Sequence, residues 1–335
     1  MQKSRIGIVI PVHNEENNLA SLFQALRKVF FGLSSHYIFS ILFVDDGSTD
    51  QSLSEIQVLR REDARIQWIS LSRRFGKEVA LTAGLDFLEA DALILMDADL
   101  QHPPDLIPEL LSTWRQSGAD VVYAQMVARD HEGWCKRFLT RRFYGLLNRM
   151  TDIEMPPHAG DFRLLSARAV AALRSLPEQH RYMKGLYAWI GFQQVAIPFV
   201  PNARRSGSSK WSYRQLGHLA LEGLTSFSTV PLRLASYLGV LVASTGFVYA
   251  LWILFKTLYY GEAVKGFPTI MIVMLLLGGV QLLTLGILGE YLGRVFQESK
   301  RRPLYVCKAS SLSPVFPGAT LSTSGRTLPL DQITQ

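Results

Sequence analysis

Asp97 and Asp99, in the run Asp97-Ala98-Asp99-Leu100-Gln101-His102-Pro103-Pro104, have the residue types and spacing for divalent-cation chemistry. Carboxylate oxygens are hard ligands that suit Mg2+ or Mn2+, ions that keep water and bridge phosphate oxygens. Such an ion stabilises the charge that develops on a departing diphosphate. An Asp-x-Asp pair by itself is equally a solvated turn. Two further motifs, Pro11-Val12-His13-Asn14-Glu15 and Asp45-Asp46-Gly47-Ser48-Thr49-Asp50, make the combination specific. Carboxylates there suit donors such as a base N–H or ribose hydroxyls. Each motif also fits plain helix capping, with Asn14 or Asp50 as the N-cap.

All three motifs follow the ends of expected strands. Ile6–Val12, Ile38–Val44, Ile66–Leu71, Ala92–Met96 and Val121–Ala124 are short, nearly continuous apolar runs, as buried parallel strands require. Helical patterns lie between them at Asn17–Phe30, Asp50–Arg60, Glu78–Glu89 and Leu106–Trp114. That alternation predicts an α/β, doubly wound, Rossmann-like sheet, whose ligands bind outside the carboxyl ends of the strands. Asp161, read locally, fits the cap of a helix over Arg163–Leu173.

Beyond this unit the chain changes character. Leu139, Phe143, Leu146, Leu147 and Met150 share one helical face, with Arg137, Arg141, Arg142 and Arg149 mostly opposite. A basic helix lying on a membrane surface and an ordinary surface helix both fit that pattern. Leu234–Phe255 and Phe267–Gly289 carry no charged residue and are long enough to cross a bilayer as helices. Arg204, Arg205, Lys210, Arg214 and Arg233 flank one side, and Arg294, Lys300, Arg301 and Arg302 the other. The positive-inside bias then puts the N-terminal unit and both termini in the cytoplasm. The expected organisation is a catalytic domain over residues 1–231, with interfacial helices near 133–150 and 211–231. A transmembrane pair over 232–292 and a basic, mostly flexible tail over 293–335 follow.

Composition agrees with that division. The chain has 335 residues, 48% of them hydrophobic, and a formal net charge of +7. The apolar excess sits late in the chain, next to the basic clusters, which favours an anionic membrane surface over nucleic acid as the partner. The two cysteines, Cys135 and Cys307, lack metal-ligand spacing and imply neither a disulfide framework nor a zinc site. The apolar run Ile6–Val12 is short and contains Pro11, unlike a signal peptide.

On the motifs quoted, together with Arg74-Phe75-Gly76-Lys77, Gly160-Asp161-Phe162-Arg163 and Arg204-x-x-Gly207-x-Ser209-Lys210, the chain resembles the family 2 glycosyltransferases of GT-A fold. Within that family it is most similar to the polyprenyl-phosphate glycosyltransferases, which include bactoprenol glucosyltransferases and dolichol-phosphate mannose synthases. The resemblance implies that Pro11, Asn14, Glu15, Asp46, Lys77 and Asp97 hold the nucleotide sugar. It implies that Asp97, Asp99 and Gln101 hold Mg2+ or Mn2+. Asp161 and Asp99 would be catalytic, and Arg163, Arg204 and Lys210 would grip the acceptor phosphate. A Gln-x-x-Arg-Trp motif, which marks the processive members, is not found, so a single transfer is expected.

The implied reaction is transfer of one sugar, with inversion, from a nucleotide diphosphate to polyprenyl phosphate at the inner membrane of a bacterium. Glucose from UDP-glucose onto undecaprenyl phosphate is the leading expectation, with GDP-mannose and a UDP-aminoarabinose-type donor as alternatives. A lipid monophosphate is mostly ionised at neutral pH, so Asp161 need not be a strong base and could orient Arg163 or the acceptor. A non-catalytic nucleotide-sugar-binding membrane subunit is the alternative of another class, which intact Asp97, Asp99 and Asp161 oppose. Arg181 and Lys184 fit either a phosphate contact or a solvated loop, with the loop expected, and His13, His102 and His158 are expected as strand-end loop residues rather than metal ligands. Gly239, Gly246, Gly278 and Gly279 in the apolar spans prompt the idea of a homo-oligomer.

Overall fold

The computed structural model describes residues 3–126, 159–179, 181–199, 230–260 and 266–313, which fall into two compact units. The first unit holds the described residues up to 199 together with 302–313; the second holds 230–301. The segment 133–150 and most of 211–231, expected as interfacial helices, lie outside the described residues.

The first unit is built on one eight-stranded sheet in the order β7-β5-β6-β4-β1-β2-β3-β8. The strands are β1 (Ser4–Val12), β2 (Tyr37–Asp45), β3 (Ile66–Leu71), β4 (Ala92–Leu95), β5 (Val121–Met126), β6 (Ala159–Ser166), β7 (Gln194–Phe199) and β8 (Cys307–Ser310). The helices are α1 (Glu16–Leu33), α2 (Ser52–Glu62), α3 (Lys77–Phe87), α4 (Ile107–Ser117), α5 (Ala167–Ser175) and α6 (Met183–Trp189). β1 pairs in parallel with β2 and β4, and β2 with β3, so their carboxyl ends lie on one edge.

Both faces are covered, which explains the continuous apolar runs. Ile6, Ile8 and Ile10 of β1 join a core with Leu22 and Phe23 of α1, Ile56 of α2 and Leu110 of α4. On the other face α3 lies so close to β1 that a Cβ built on Gly84 would sit 2.1 Å from Val9 Cγ1. A side chain at 84 would push the helix off the sheet and move Lys77, at its start, with it.

Three strands depart from the expected pattern. β6 runs antiparallel to both β4 and β5, so the sheet is mixed, not purely parallel. Asp161 therefore lies in a strand, and the helix expected from Arg163 begins at Ala167, capped by Ser166 Oγ accepting from the Ala169 N–H. β7 adds in parallel beyond β5. β8 lies after the apolar helices and pairs antiparallel with β3.

The mostly flexible tail expected over 293–335 is thus corrected for 293–299, which are helical, and for 304–311. Tyr305 and Cys307 are buried, Tyr305 donates to Asp86 Oδ2 at 2.9 Å, and the Ser311 N–H donates to Trp68 O at 2.9 Å. Its Ser, Thr and Gly content did not prevent ordering, because the open edge of β3 supplies backbone partners and α3 supplies a buried acceptor.

The second unit contains two helices, α7 (Val230–Tyr260) and α8 (Phe267–Ser299), which pack against each other. Large apolar side chains point outward, among them Val240, Phe247 and Phe255 on α7 and Leu282, Leu285 and Leu292 on α8. Continuous exposed apolar surface of this kind is not what a water-facing helix carries. Among the described residues one segment, Leu276–Ser299, is long and apolar enough by length and composition to cross a membrane. It extends further toward the C-terminus than the span expected at 267–289.

Candidate active site at the carboxyl edge of the sheet

The loops after β1, β2 and β4 and the start of α3 enclose a cleft of about 240 Å³, lined by Pro11, Glu15, Asp46, Lys77, Asp97 and Asp99 among others. Asp99 also borders a groove of about 730 Å³ between α1 and the Leu100–Asp105 loop. The first two loops are stitched together by their own polar side chains. Asn14, in the left-handed region at φ 57°, accepts from the Thr49 N–H at 2.8 Å, while its own N–H donates to Ser48 Oγ at 3.1 Å. Neither Asn14 nor Asp50 is an N-cap, since Glu15 and Gln51 hold those positions; Asp50 lies one residue earlier and accepts from the Ser52 and Glu16 N–H groups at the starts of α2 and α1. Burial opposes the shift, but these hydrogen bonds, from Ser52 first, hold the Asp50 carboxyl below its usual range.

Asp45 and Asp46 divide their work. Asp45 is buried and accepts from Ser48 N–H and Ser70 Oγ–H, which fixes the turn. Gly47 sits in that turn at φ +65°, where an added Cβ would meet the Arg73 carbonyl carbon at 2.6 Å. Asp46, expected to hold a nucleoside, accepts from the Phe75 N–H at 2.6 Å and the Gly76 N–H at 2.9 Å. Those charge-assisted bonds set the loop that launches α3 and hence place Lys77.

Lys77 joins the two sides of the site. Its Nζ lies 2.6 Å from an Asp97 oxygen and 2.6 Å from Asp161 Oδ2. The β4–β6 register explains how residues so far apart in sequence meet. Leu95 is paired with Arg163, so continuing the antiparallel ladder by two residues sets Asp97 across from Asp161. Burial would raise the Asp161 carboxyl, but the Lys77 ammonium overrides it and holds the group at about 2. Burial likewise pulls Lys77 down, and Asp97 and Asp161 together push it above its ordinary value.

Asp97 and Asp99 stand at the end of β4 as expected. Gln101 donates through its backbone N–H to Asp99 Oδ1 at 3.1 Å and through its side-chain amide to Asp99 Oδ2, which orients that carboxylate. Among the described residues no cluster of three or more His, Cys, Asp and Glu side chains forms a closed metal cage. A two-carboxylate site fits an ion that completes its shell with water and substrate phosphates. The electrostatics agree: Glu15 is raised first by burial and then by the charges of Asp99, Asp97 and Asp50, a field that a cation would relieve.

Other expected residues fall elsewhere. Arg163 is 2% exposed, with its guanidinium 3.6 Å from the Tyr187 ring centre and donating to Gly160 O at 2.6 Å. It lies buried against Tyr187 of α6, two residues along β6 from Asp161. Arg181 donates to the carbonyls of Leu173, Leu176 and Glu178 and serves the α5–α6 connection. His102 is buried, stacked on Phe162, with Nδ1 3.8 Å from Asp97 Oδ2; burial lowers its pKa against the pull of the neighbouring Asp97 charge. Arg204, Lys210 and His158 lie outside the described residues.

Two residues of the site were not foreseen. Glu78 follows Lys77 directly, which was the available signal; its Oε2 accepts from the Met183 N–H at 3.2 Å. Burial, and then the Asp161 charge, raise its carboxyl to about 8. Tyr187 carried no sequence signal, because its meaning comes only from Arg163 stacked on it.

Comparison with known proteins accounts for both units. Residues 7–174 match the model of glycosyl transferase family 2, and residues 230–295 match that of the GtrB C-terminal hairpin. A bactoprenol glucosyl transferase of Shigella phage SfV is 42% identical over 304 residues, 91% of this chain and 98% of its own. A prophage bactoprenol glucosyl transferase homolog of Escherichia coli K12 is 40% identical over 304 residues, again 91% of this chain and 98% of its own. An uncharacterized glycosyltransferase of Synechocystis is 45% identical over 301 residues, 90% of this chain and 94% of its own. With a GT-A-like α/β fold, acidic strand-end motifs and relatives matched over nearly their whole length, this chain belongs to glycosyl transferase family 2.

Proposed function

We propose that this protein transfers one glucose from UDP-glucose to undecaprenyl phosphate, with inversion, at the cytoplasmic face of a bacterial inner membrane. The observation that carries this reading is the 42% identity, over 91% of the chain, to a protein named bactoprenol glucosyl transferase. The site's chemistry supports it. The cleft holds carboxylates suited to a metal-bound diphosphate, and the chain continues into apolar helices that suit a lipid acceptor.

In the reaction an oxygen of the lipid phosphate attacks the anomeric carbon and forms the new C–O bond. The bond from that carbon to the nucleoside diphosphate breaks, and its electron pair leaves with the diphosphate oxygen. Asp97 and Asp99 would hold Mg2+ or Mn2+, which would supply charge neutralisation to that leaving group. Gln101 orients Asp99, while Pro11, Glu15 and Asp46 shape the nucleoside end of the cleft and Asn14 braces its loop against Thr49. The acceptor phosphate is mostly ionised at neutral pH. Asp161, ionised beside Lys77, therefore acts by fixing the Lys77 ammonium at the acceptor side of the cleft rather than by strong proton abstraction. Arg204 and Lys210 supply the basic contacts to the lipid phosphate.

We read the membrane arrangement as two crossings. The segments before α7 and after α8 contribute strands to one sheet, and an even number of crossings between them suits that connectivity. Two crossings, by α7 and α8, fit the outward apolar side chains and the basic residues Arg294, Lys300 and Arg301 at the end of the pair. The transfer reading is tested against a mere binding role by Asp99→Ala. It should lower glucose transfer by about 100-fold or more while the protein stays folded. An unchanged rate would make the chain's role non-catalytic.

A further inference from the structure

We propose that the stacked pair Arg163–Tyr187 is a positioning device for Asp161 and that Arg163 does not itself contact the acceptor. The inference rests on the transfer reading above and concerns how its acceptor-side carboxylate is aimed. Asp161 and Arg163 are two apart on β6 and so share a face of the strand. Arg163 is buried, and its guanidinium stands 3.6 Å from the centre of the Tyr187 ring, well inside cation–π range. From there Nη2 donates to Gly160 O at 2.6 Å, which ties the backbone immediately before Asp161.

Tyr187 is itself fixed. It is 1% exposed on α6, and the first turn of that helix is held by Glu78 Oε2 accepting from the Met183 N–H at 3.2 Å. Glu78 is the neighbour of Lys77, which grips Asp161 Oδ2 at 2.6 Å. The contacts form a closed ring: α3 holds the Asp161 carboxylate through one residue and α6 through the next, and α6 holds the strand beneath Asp161 through Tyr187 and Arg163. A guanidinium buried in this way presents no face to a lipid phosphate. Its stacking plane and Gly160 contact instead leave the β6 backbone one direction in which to project Asp161.

The test uses the full-length protein in detergent, with UDP-glucose and undecaprenyl phosphate varied separately. Tyr187→Leu removes the π face and should lower kcat about tenfold or more, with KM for both substrates within about twofold of wild type. Tyr187→Phe keeps the ring and should restore kcat to within about twofold. Arg163→Lys keeps the charge but not the planar fork, and should lose kcat as Tyr187→Leu does; it decides the matter if Tyr187→Leu does not fold. A raised KM for undecaprenyl phosphate at unchanged kcat would make Arg163 an acceptor ligand and overturn the proposal. So would wild-type kinetics in both Tyr187→Leu and Arg163→Lys. Absence of transfer by the wild-type protein would instead refute the function on which the proposal rests.

Discussion

Replacing Lys77 by methionine removes an ammonium that lies 2.6 Å from both Asp97 and Asp161 and leaves two facing carboxylates without the cation between them. The magnitude follows from Asp161. Its carboxyl is held at about 2 against an ordinary 3.8, a displacement equivalent to about 2 kcal/mol of native-state stabilisation. Because the Lys77 side chain is 40% exposed, solvent screening reduces the pairwise share to about 1–2 kcal/mol. The sign is that of a depressed carboxylate: the stabilisation is complete above pH 3.8 and is lost as pH falls from there through about 2. At pH 7 it is therefore present in full. A double-mutant cycle of Lys77→Met and Asp161→Asn, read by thermal or urea unfolding in detergent, should return that coupling, or about 2–8 °C in Tm. Asp161→Asn should destabilise when Lys77 is present and stabilise when position 77 is methionine, since it then relieves repulsion from Asp97. Additivity of the two changes within about 0.5 kcal/mol would refute the account of Lys77 as the link between the two sides of the site.

Asp46→Asn weakens two charge-assisted bonds to the Phe75 and Gly76 N–H groups, and should raise KM for UDP-glucose about tenfold in steady-state assays as the Lys77 loop loosens. Tyr305→Phe strands the buried Asp86 carboxylate and should cost about 1–3 kcal/mol in unfolding. Gly84→Ala forces a methyl into Val9 and should cost about 1–3 kcal/mol by the same measurement. For the membrane arrangement, Gly266→Cys, between α7 and α8, should react with a membrane-impermeant maleimide added outside intact spheroplasts. Labelling only after the membrane is opened would contradict two crossings.

Much of this molecule was legible in its sequence where structure is local. Strands β1 to β5 announce themselves because they are largely buried on both faces and so read as nearly continuous apolar runs. The polar motifs at their ends are contiguous, and placing them at the carboxyl edge needed only the parallel-sheet rule. What could not be read depends on distant pairing. β6 carries Asp161 and Arg163 at alternate positions, and buried charge masks the strand pattern while Leu164, Leu165, Ala167 and Val170 imitate a helix. β7 contains Pro198, and β8 is four residues long and finds β3 only across the whole of the second unit. The Lys77–Asp161 contact and the Arg163–Tyr187 stack inherit that difficulty, because both exist only once β6 is antiparallel to β4.

The central claim is tested most directly by offering the purified full-length protein undecaprenyl phosphate with radiolabelled UDP-glucose, and separately with GDP-mannose, in the presence of Mg2+ or Mn2+ and again with EDTA. The account predicts one labelled glycolipid from UDP-glucose, formed with release of UDP, and its disappearance with EDTA. No lipid-linked product from either donor, under conditions where UDP-glucose binds, would contradict it.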